Sequence, residues 1–492
     1  MFIYRHSAFN DSVISKKSLL VFFALKCVAC FFYVWIFAID VNKNLFNSDT
    51  QAIMHDASIV YQAFWSNPVD YLKILFGWYS ETQNDYLYKN YFHLMENWDL
   101  VGTNSFQLND SRGIVRINSF LMLFSFGKYE TQALIMLFLS YVGEWLMYRA
   151  FKPYFKNKEF LLLLIMMFIP SVYFWTAGVL KEAIVLFLLG CFLYGYFQLF
   201  IHKNKQQKYI IVIIISSVLF FFIKPYVLAI IIFPLLIFTF LNSRNYKRIG
   251  LIYFLSLAIF ISSGILFSKH ILKKDIVSTI VKRQNDFVSV SYGGLFFYNY
   301  NRYLRFEYNE TNMVTLKDAK LNAYSIKPHA RYMYWKCPNF NDTLYVTDNA
   351  DTVSQYPLIN STAPSHSAIT LERLKDSYVS IVRMIPKAFI NVLFKPLFFS
   401  IKTQNELLAS IENLLIILVF ISSLVLADYK NINWNFFFFL FFIVIISFVL
   451  IGLTTTLSGA IVRYKTPFLP FLLMIALVLL QEKKCKSIVF NL

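Results

Sequence analysis

The sequence predicts an all-α polytopic membrane protein with about ten transmembrane helices, both termini in the cytoplasm and two periplasmic lobes. Of its 492 residues 58% are hydrophobic, and only 15% are charged, against roughly 25% in soluble domains. Uninterrupted apolar runs such as 209–223 and 436–450 have the composition of membrane-spanning helices. These observations together indicate a membrane protein built from helices.

The individual spans are assigned from the apolar runs. The first run follows a polar N-terminal segment, and no small-residue cleavage site comes after it, so we expect a retained span rather than a signal peptide. The charged residues Lys26 and Glu144 lie within spans, but near enough to helix ends that we expect them to snorkel. The predicted spans are 18–39, 131–150, 159–176, 182–201, 209–223, 226–241, 249–268, 407–427, 434–454 and 461–480.

Basic residues predict the orientation of these spans. The net charge is +18, but most Lys and Arg residues lie in short loops beside spans, which favours the positive-inside pattern over a nucleic-acid-binding surface. This alternation requires that the apolar stretch 114–126 does not cross the membrane, so we predict an interfacial or re-entrant segment there. A cytoplasmic N-terminus places the following basic clusters inside: 16–17, 149–158, 203–208, 244–248 and 483–486.

The domain boundaries follow from this topology. Apolar residues at helix-like spacing over 49–64 and 69–78, divided by Asn67-Pro68, predict two amphipathic surface helices in the first lobe. The middle of the second lobe, 302–362, is polar and rich in Tyr, and we expect a small capping domain there. The predicted units are a first transmembrane helix (1–39), a first periplasmic lobe (40–130), transmembrane helices two to seven (131–268), a second periplasmic lobe (269–406), transmembrane helices eight to ten (407–480) and a cytoplasmic tail (481–492).

A first candidate site lies shortly after the first span. Asp49, His55 and Asp56 supply two carboxylates and an imidazole close to the membrane surface. A partly desolvated carboxylate there could act as a general base toward a hydroxyl group, or could bind a divalent cation. Alternatively, Asp49 caps a surface helix and Asp56 is one more polar position on that helix.

A second set of candidates consists of charged residues on the predicted periplasmic side. Lys181 and Glu182 begin a helix, where a phosphate would meet free N–H groups and a cation; the alternative is a snorkelling pair at the interface. Cations on this side run against the positive-inside trend, and they indicate an anionic partner, either a lipid headgroup or a substrate phosphate. The remaining cations of this set are Arg112, Arg116, Lys224, Arg463 and Lys465.

Motifs of several enzyme classes are missing from the sequence. It contains no GxxxxGK[ST], no HExxH and no GxSxG, and no convincing spacing of metal ligands. No cofactor can therefore be assigned with certainty from the sequence. A divalent cation is the one candidate, and its ligands are unknown.

Several features together point to a known design: an acidic residue in the first outer loop, paired amphipathic helices after it, many spans, and the closing pattern Arg463-Tyr464-x-x-Pro467-x-x-Pro470. The chain thereby resembles the GT-C superfamily of membrane glycosyltransferases, such as protein O-mannosyltransferases and aminoarabinose transferases, which use polyprenyl-phosphate-linked sugars. The resemblance implies that Asp49, or in second place Asp56, deprotonates the acceptor. It also implies that outer basic residues, Arg463 among them, hold the donor phosphate.

The position of the second lobe, between spans seven and eight, resembles a different group. O-antigen polymerases and ligases bind polyprenyl-pyrophosphate glycans through arginines of outer loops. The arginines that could serve in this way here are Arg302, Arg305, Arg331 and Arg373.

We therefore expect an inverting glycosyl transfer at the periplasmic face of a bacterial inner membrane, in cell-surface polysaccharide biosynthesis. The expected partners are a polyprenyl-phosphate-linked donor, a glycan or lipid acceptor and membrane lipids, with no nucleic acid. Asp49 would activate the acceptor, and Lys181, Lys224 and Arg463 would neutralise the leaving phosphate. A repeat-unit polymerase with pyrophosphate-linked substrates, and a lipid-linked glycan flippase or other transporter, remain the alternatives.

Overall fold

A computed structural model shows long apolar helices packed side by side, with shorter helices and a β-sheet in the polar regions. The predicted tail 481–492 lies outside the residues that the structure describes. Those residues are 2–39, 49–79, 86–95, 98, 110–243, 246–270, 275–292, 294–299, 302–307, 314–318, 323–326, 331–336, 344–347, 356–362, 365, 367–369, 371–397 and 404–480.

The helices and strands are numbered in chain order. Before the sheet, the α-helices are α1 (Phe2–Arg5), α2 (Lys16–Val34), α3 (Asp49–Ser66), α4 (Pro68–Phe76), α5 (Tyr86–Asn90), α6 (Asp110–Ser125), α7 (Tyr129–Phe151), α8 (Glu159–Met167), α9 (Pro170–Trp175), α10 (Lys181–Tyr196), α11 (Gln207–Ile223), α12 (Pro225–Asn242), α13 (Ile249–His270) and α14 (Ile276–Tyr292). The strands are β1 (Gly294–Asn299), β2 (Arg302–Glu307), β3 (Val314–Asp318), β4 (Ala323–Ile326), β5 (Arg331–Lys336), β6 (Leu344–Thr347) and β7 (Tyr356–Thr362). After the sheet come α15 (Tyr378–Phe394), α16 (Gln404–Val425), α17 (Trp434–Thr454), α18 (Ser458–Lys465) and α19 (Leu469–Leu479).

The described part of the chain contains eight helical segments that are long and apolar enough to cross a membrane. They overlap the predicted spans other than 159–176 and 209–223. This confirms the prediction of a helical protein with many membrane-spanning segments. The eight segments are Lys16–Phe37, Tyr129–Tyr154, Lys181–Ile201, Pro225–Asn242, Ile249–His270, Glu406–Val425, Trp434–Thr454 and Ser458–Leu479.

The two remaining predicted spans have a different form. The segment 209–223 lies in α11, which is apolar but has only 17 residues. The segment 159–176, predicted as one helix, consists of α8 and α9 with a break at Phe168–Ile169. The cause is Pro170, which has no N–H to donate and disfavours a helical conformation in the residue before it. Ile169 accordingly has φ −90° and ψ 118°.

Lys26 and Glu144 do not snorkel, contrary to the expectation from the sequence. Lys26 Nζ lies 2.5 Å from Glu144 Oε1, and the two side chains are 0% and 1% exposed. Each lies near the middle of its helix, so the charges are too far from the ends to reach water and neutralise each other instead. The pair ties α2 to α7 inside the protein.

In the first lobe, α3 and α4 occupy the two segments predicted to be helical. Asn67 separates them by capping α4: its side chain accepts a hydrogen bond from Asp70 N, and Pro68 begins the helix. Helix α6 then covers the apolar stretch 114–126.

Both ends of α6 lie beside the ends of long helices. Near its start, Lys181 Nζ at the beginning of α10 donates to Ser111 Oγ at 3.3 Å, and Gly113 packs against the backbone carbonyl of Phe222 at the end of α11. Near its end, Ser125 Oγ donates to Oε1 of Gln132 in the first turns of α7 at 2.6 Å. Helix α6 therefore runs along one side of the protein, across the ends of α7, α10 and α11.

The second lobe adds strands, which the sequence analysis did not predict. All seven form one antiparallel sheet in the order β3–β4–β7–β1–β2–β5–β6. Strands β1 and β2 form a hairpin in which Gly294 pairs with Glu307 and Asn299 with Arg302. Strands β2 to β7 lie in the region 302–362, for which only a small capping domain was expected.

Candidate functional site

Four charged side chains that are distant in sequence meet at one place. Asp49 is the first residue of α3, Glu182 lies in the first turn of α10, and Lys224 lies between α11 and α12. Arg463 is in α18. These elements begin or end on the side of the protein along which α6 runs, so the four side chains form a cluster there. We call it the charge cluster.

The distances within the charge cluster define its centre. Lys224 Nζ donates to Glu182 Oε1 at 3.0 Å, and Arg463 Nε lies 3.1 Å from the same oxygen. The Arg463 guanidinium also reaches outward, with Nη1 donating to Asp49 Oδ2 at 2.5 Å. Glu182 therefore holds two cations, and Arg463 bridges two carboxylates.

Burial differs sharply across the charge cluster. The side chains of Glu182, Lys224 and Arg463 are 0%, 5% and 13% exposed, whereas that of Asp49 is 69% exposed. Burial disfavours the charged form of Lys224, but Glu182 outweighs this effect, so the pKa of Lys224 is raised above its ordinary value. The cluster thus consists of three charged side chains that are largely shielded from solvent and one carboxylate, Asp49, in contact with it.

Aromatic rings line the cations. The Arg463 guanidinium lies 5.9 Å from the ring centroid of Trp175 and 6.0 Å from that of Tyr464, and Lys224 Nζ lies 5.0 Å from the Tyr464 ring. Rings at this distance favour a cation electrostatically and exclude water from it. Trp175 was not singled out from the sequence, although it ends the short helix that Pro170 begins.

The other two candidate residues on α3, His55 and Asp56, lie in a different environment from Asp49. Asp56 is completely buried, and its Oδ1 lies 3.3 Å from Nδ1 of His55, which is 35% exposed. Asp56 follows Asp49 by seven positions, which puts them on one face of the helix but about 10 Å apart along its axis. Asp56 is therefore not part of the charge cluster.

Arg112 and Arg116 flank a ring of the first lobe. Their guanidinium groups lie 5.5 Å and 5.4 Å from the Trp98 ring centroid. Arg116 also donates from Nε to Ile74 O at 2.9 Å and from Nη2 to Tyr79 Oη at 3.0 Å. These contacts join α6 to α4, so the side chain of Arg116 is engaged in holding the lobe together.

Lys465 makes its contacts with α16, away from Arg463. It is 3% exposed, and its Nζ donates to Asn413 Oδ1 at 2.6 Å. Residues two apart on a helix point in nearly opposite directions, so Arg463 and Lys465 face different neighbours. The structure therefore does not place Lys465 with the charge cluster.

A polar seam between α16 and its neighbours was missed in the sequence analysis. Glu412 accepts hydrogen bonds from the backbone N and the Oγ of Ser171, both at 2.6 Å, and so caps the start of α9. Glu406 accepts a hydrogen bond from Ser458 Oγ. The signal was present in the sequence, because Glu406, Ser410 and Asn413 recur at the three- and four-residue spacing of one helix face.

Within the described residues, no group of three or more His, Cys, Asp or Glu side chains is arranged to hold a metal ion. No protein-family model, curated protein or solved structure matches this chain. A function must therefore be argued from the charge cluster and its surroundings.

Proposed function

We propose that the chain is a membrane glycosyltransferase of a bacterial inner membrane, with the charge cluster as its active site on the periplasmic side. It transfers a sugar from a polyprenyl-phosphate-linked donor to a glycan or lipid acceptor in cell-surface polysaccharide biosynthesis. The observation that carries the proposal is the contact between Asp49 and Arg463. It joins a solvent-exposed carboxylate, suited to activating a hydroxyl group, to a pair of largely buried cations suited to a phosphate.

In this proposal the chain crosses the membrane ten times and has both termini in the cytoplasm. This topology places the charge cluster on the periplasmic side. The α8–α9 segment supports a crossing despite its break: at its start Lys158 Nζ donates to Leu477 O at 3.1 Å, and at its end Trp175 lies beside Arg463. Leu477 and Arg463 are at opposite ends of the apolar segment Ser458–Leu479. Helix α11 crosses as well, and α6 does not, because both its ends lie on one side.

The proposed reaction is a single displacement. The acceptor hydroxyl oxygen attacks the anomeric carbon of the donor, and the bond from that carbon to the phosphate oxygen breaks, with its electron pair leaving on the phosphate. The hydroxyl proton goes to the Asp49 carboxylate, which is the exposed member of the cluster. One displacement inverts the configuration at the anomeric carbon.

The cations act on the leaving group. Negative charge develops on the phosphate as the bond breaks, and Arg463 and Lys224 are fixed beside that position before the reaction begins. Preorganised charges of this kind are worth about 2–4 kcal/mol each in the transition state. Glu182 does not touch the substrate in this proposal; it positions both cations.

Complementation of a deletion strain tests the proposal. We expect Asp49→Asn and Arg463→Gln to abolish the product on the cell surface, while Asp428→Asn restores it. Asp428 is a matched control, since its backbone N donates to Leu479 O, at the far end of the helical segment from Arg463, and its side chain accepts a hydrogen bond from Asn431 Nδ2 at 2.8 Å.

The composition and chain length of the surface glycan also distinguish monosaccharide transfer from polymerisation. Loss of one sugar from an otherwise complete glycan supports monosaccharide transfer. Loss of a ladder of chain lengths with single repeats retained would show a polymerase instead. A wild-type glycan in the Asp49→Asn strain would contradict the role of Asp49.

A further inference from the structure

The charge cluster is electrically balanced, and this has a consequence for phosphate binding. Asp49 and Glu182 supply two negative charges, and Lys224 and Arg463 supply two positive charges. A phosphate that approached the intact cluster would find both cations already paired. One carboxylate must therefore move away before the cations can neutralise a phosphate.

Glu182 cannot be the carboxylate that moves. It is completely buried, it belongs to the first turn of a long apolar helix, and it contacts both Lys224 and Arg463. Removing it from them would leave Glu182 and Lys224 without a partner in a dry environment, which is strongly unfavourable. Glu182 therefore remains in place whether or not a ligand is bound.

Asp49 is the carboxylate that a ligand can replace. Its side chain is 69% exposed and holds Arg463 through Nη1 alone. An ion pair with one well-exposed partner is weak, since water solvates the Asp49 carboxylate well once it leaves the guanidinium. A phosphate offers several oxygens to the guanidinium and binds it in a bidentate manner.

We propose that the phosphate group of a lipid-linked ligand displaces Asp49 from Arg463, so that Asp49 occupies the phosphate site of the empty protein. This inference rests on the proposed function and adds an order of substrate binding to it. The donor binds first, and its phosphate releases the carboxylate that the acceptor hydroxyl then requires. Without a donor, Asp49 stays paired with Arg463, which occupies its Oδ2.

Binding of farnesyl phosphate to the full chain in nanodiscs tests the displacement, with farnesol as the probe that lacks the phosphate. We expect Asp49→Asn to tighten farnesyl phosphate binding by about twofold to fivefold, since the competing carboxylate is gone. Farnesol binding should not change. The matched control Asp428→Asn removes the same charge elsewhere and should bind farnesyl phosphate like the wild type.

A double-mutant cycle distinguishes displacement from plain repulsion between two anions. If Asp49 competes for Arg463, the effect of Asp49→Asn disappears when Arg463 is replaced by Gln, but persists in Lys224→Gln. Equal tightening in both backgrounds would show repulsion through space and overturn the inference. So would the absence of any tightening in the wild-type background.

Arg463→Lys replaces Arg463→Gln if the latter does not fold. The lysine keeps a positive charge beside Glu182, but is shorter and has no second arm to reach Asp49, so the effect of Asp49→Asn should again be lost. Failure of the proposed function would look different from failure of the displacement: the wild type and every variant would bind farnesyl phosphate no better than farnesol.

Discussion

Glu182 holds two cations at once, since its Oε1 lies 3.0 Å from Lys224 Nζ and 3.1 Å from Arg463 Nε. The sequence suggested that Glu182 binds substrate or snorkels at the interface. Its complete burial fits neither interpretation. Its position instead accounts for why two cations can lie close together in a dry part of the protein.

Replacing Glu182 with Gln should therefore destabilise the protein. The variant leaves Lys224 and Arg463 buried and facing each other without their shared carboxylate, and breaking a buried ion pair in this way costs about 3–5 kcal/mol. Thermal unfolding in detergent measures the loss. Asp428→Asn, which removes an acidic side chain from a loop, should change the unfolding temperature little, and similar unfolding of the two variants would contradict this role of Glu182.

A second residue-scale prediction concerns Asp11 in the N-terminal segment. Burial raises the pKa of Asp11, but hydrogen bonds from Lys152 and from the backbone N–H groups of Val13 and Ile14 outweigh this, so its pKa lies below the ordinary value. Because the unfolded-state pKa is about 3.9, this carboxylate stabilises the fold fully above pH ~4. The contribution is lost as the pH falls through the lower, folded-state pKa.

The measurement is the difference in unfolding temperature between the wild type and Asp11→Asn from pH 7 to pH 3. We expect a constant difference down to about pH 4 and a decreasing one below it. A difference that does not change with pH would show that the docking of Asp11 on Lys152 does not depend on its charge.

Some of these residue-scale features could be predicted and others could not. The position of Asp49 after the first span and of Arg463 at the outer start of the last span predicted that both lie on one side of the membrane, and the structure places the two side chains in contact. The burial of Asp56 and the separate contacts of Lys465 could not be predicted in this way. They depend on which face of α3 or α18 packs against a neighbour, and this is decided by contacts between segments distant in the sequence.

At the scale of elements, the pair formed by Lys26 and Glu144 fixes α2 against α7. We expect Lys26→Met and Glu144→Leu each to lower the free energy of unfolding by about 3–5 kcal/mol, because each leaves one charge buried without its partner. The double variant Lys26→Met, Glu144→Leu should recover most of that loss. Unfolding in detergent checks this, and losses that simply add in the double variant would contradict the pairing.

Close contact between α7 and α10 gives a further prediction. A Cβ atom at Gly190 would lie 2.1 Å from the carbonyl oxygen of Gly143, whereas one at Gly264 in α13 would have no atom within 4 Å. Gly190→Ala should therefore separate the helices and cost about 1–3 kcal/mol. Gly264→Ala, the matched control, should be neutral or slightly stabilising. Equal unfolding temperatures for the two variants would contradict the close packing.

Elements with strong local signals were predicted well, and those that depend on distant pairing were not. Asn67-Pro68 marks the boundary between α3 and α4, and apolar runs mark the eight long segments. Pro170 already indicated the break between α8 and α9, but the apolar composition on both sides concealed it. The sheet order β3–β4–β7–β1 places strands next to each other that are far apart in sequence, and no local pattern specifies such a pairing.

At the scale of the whole molecule, the two polar regions and the cations Lys224 and Arg463 have one explanation in the proposed function. Helices α3 and α6 of the first region lie on the side of the charge cluster. The second region reaches the same side, where Ser291 at the end of α14 shares a hydrogen bond with Thr456, two residues before α18. Both regions are thus next to the place where a lipid-linked donor and its acceptor would meet.

The polyprenyl lipids of a strain that carries Asp49→Asn provide the most direct test of this account. Mass spectrometry of the extracted lipids should show a polyprenyl-monophosphate-linked sugar that accumulates in Asp49→Asn and in the deletion strain. It should not accumulate in the wild type or in Asp428→Asn. Lipid profiles of the Asp49→Asn strain that match the wild type, or accumulation of a pyrophosphate-linked oligosaccharide instead, would contradict the assignment of the charge cluster as the site of transfer from a monophosphate-linked donor.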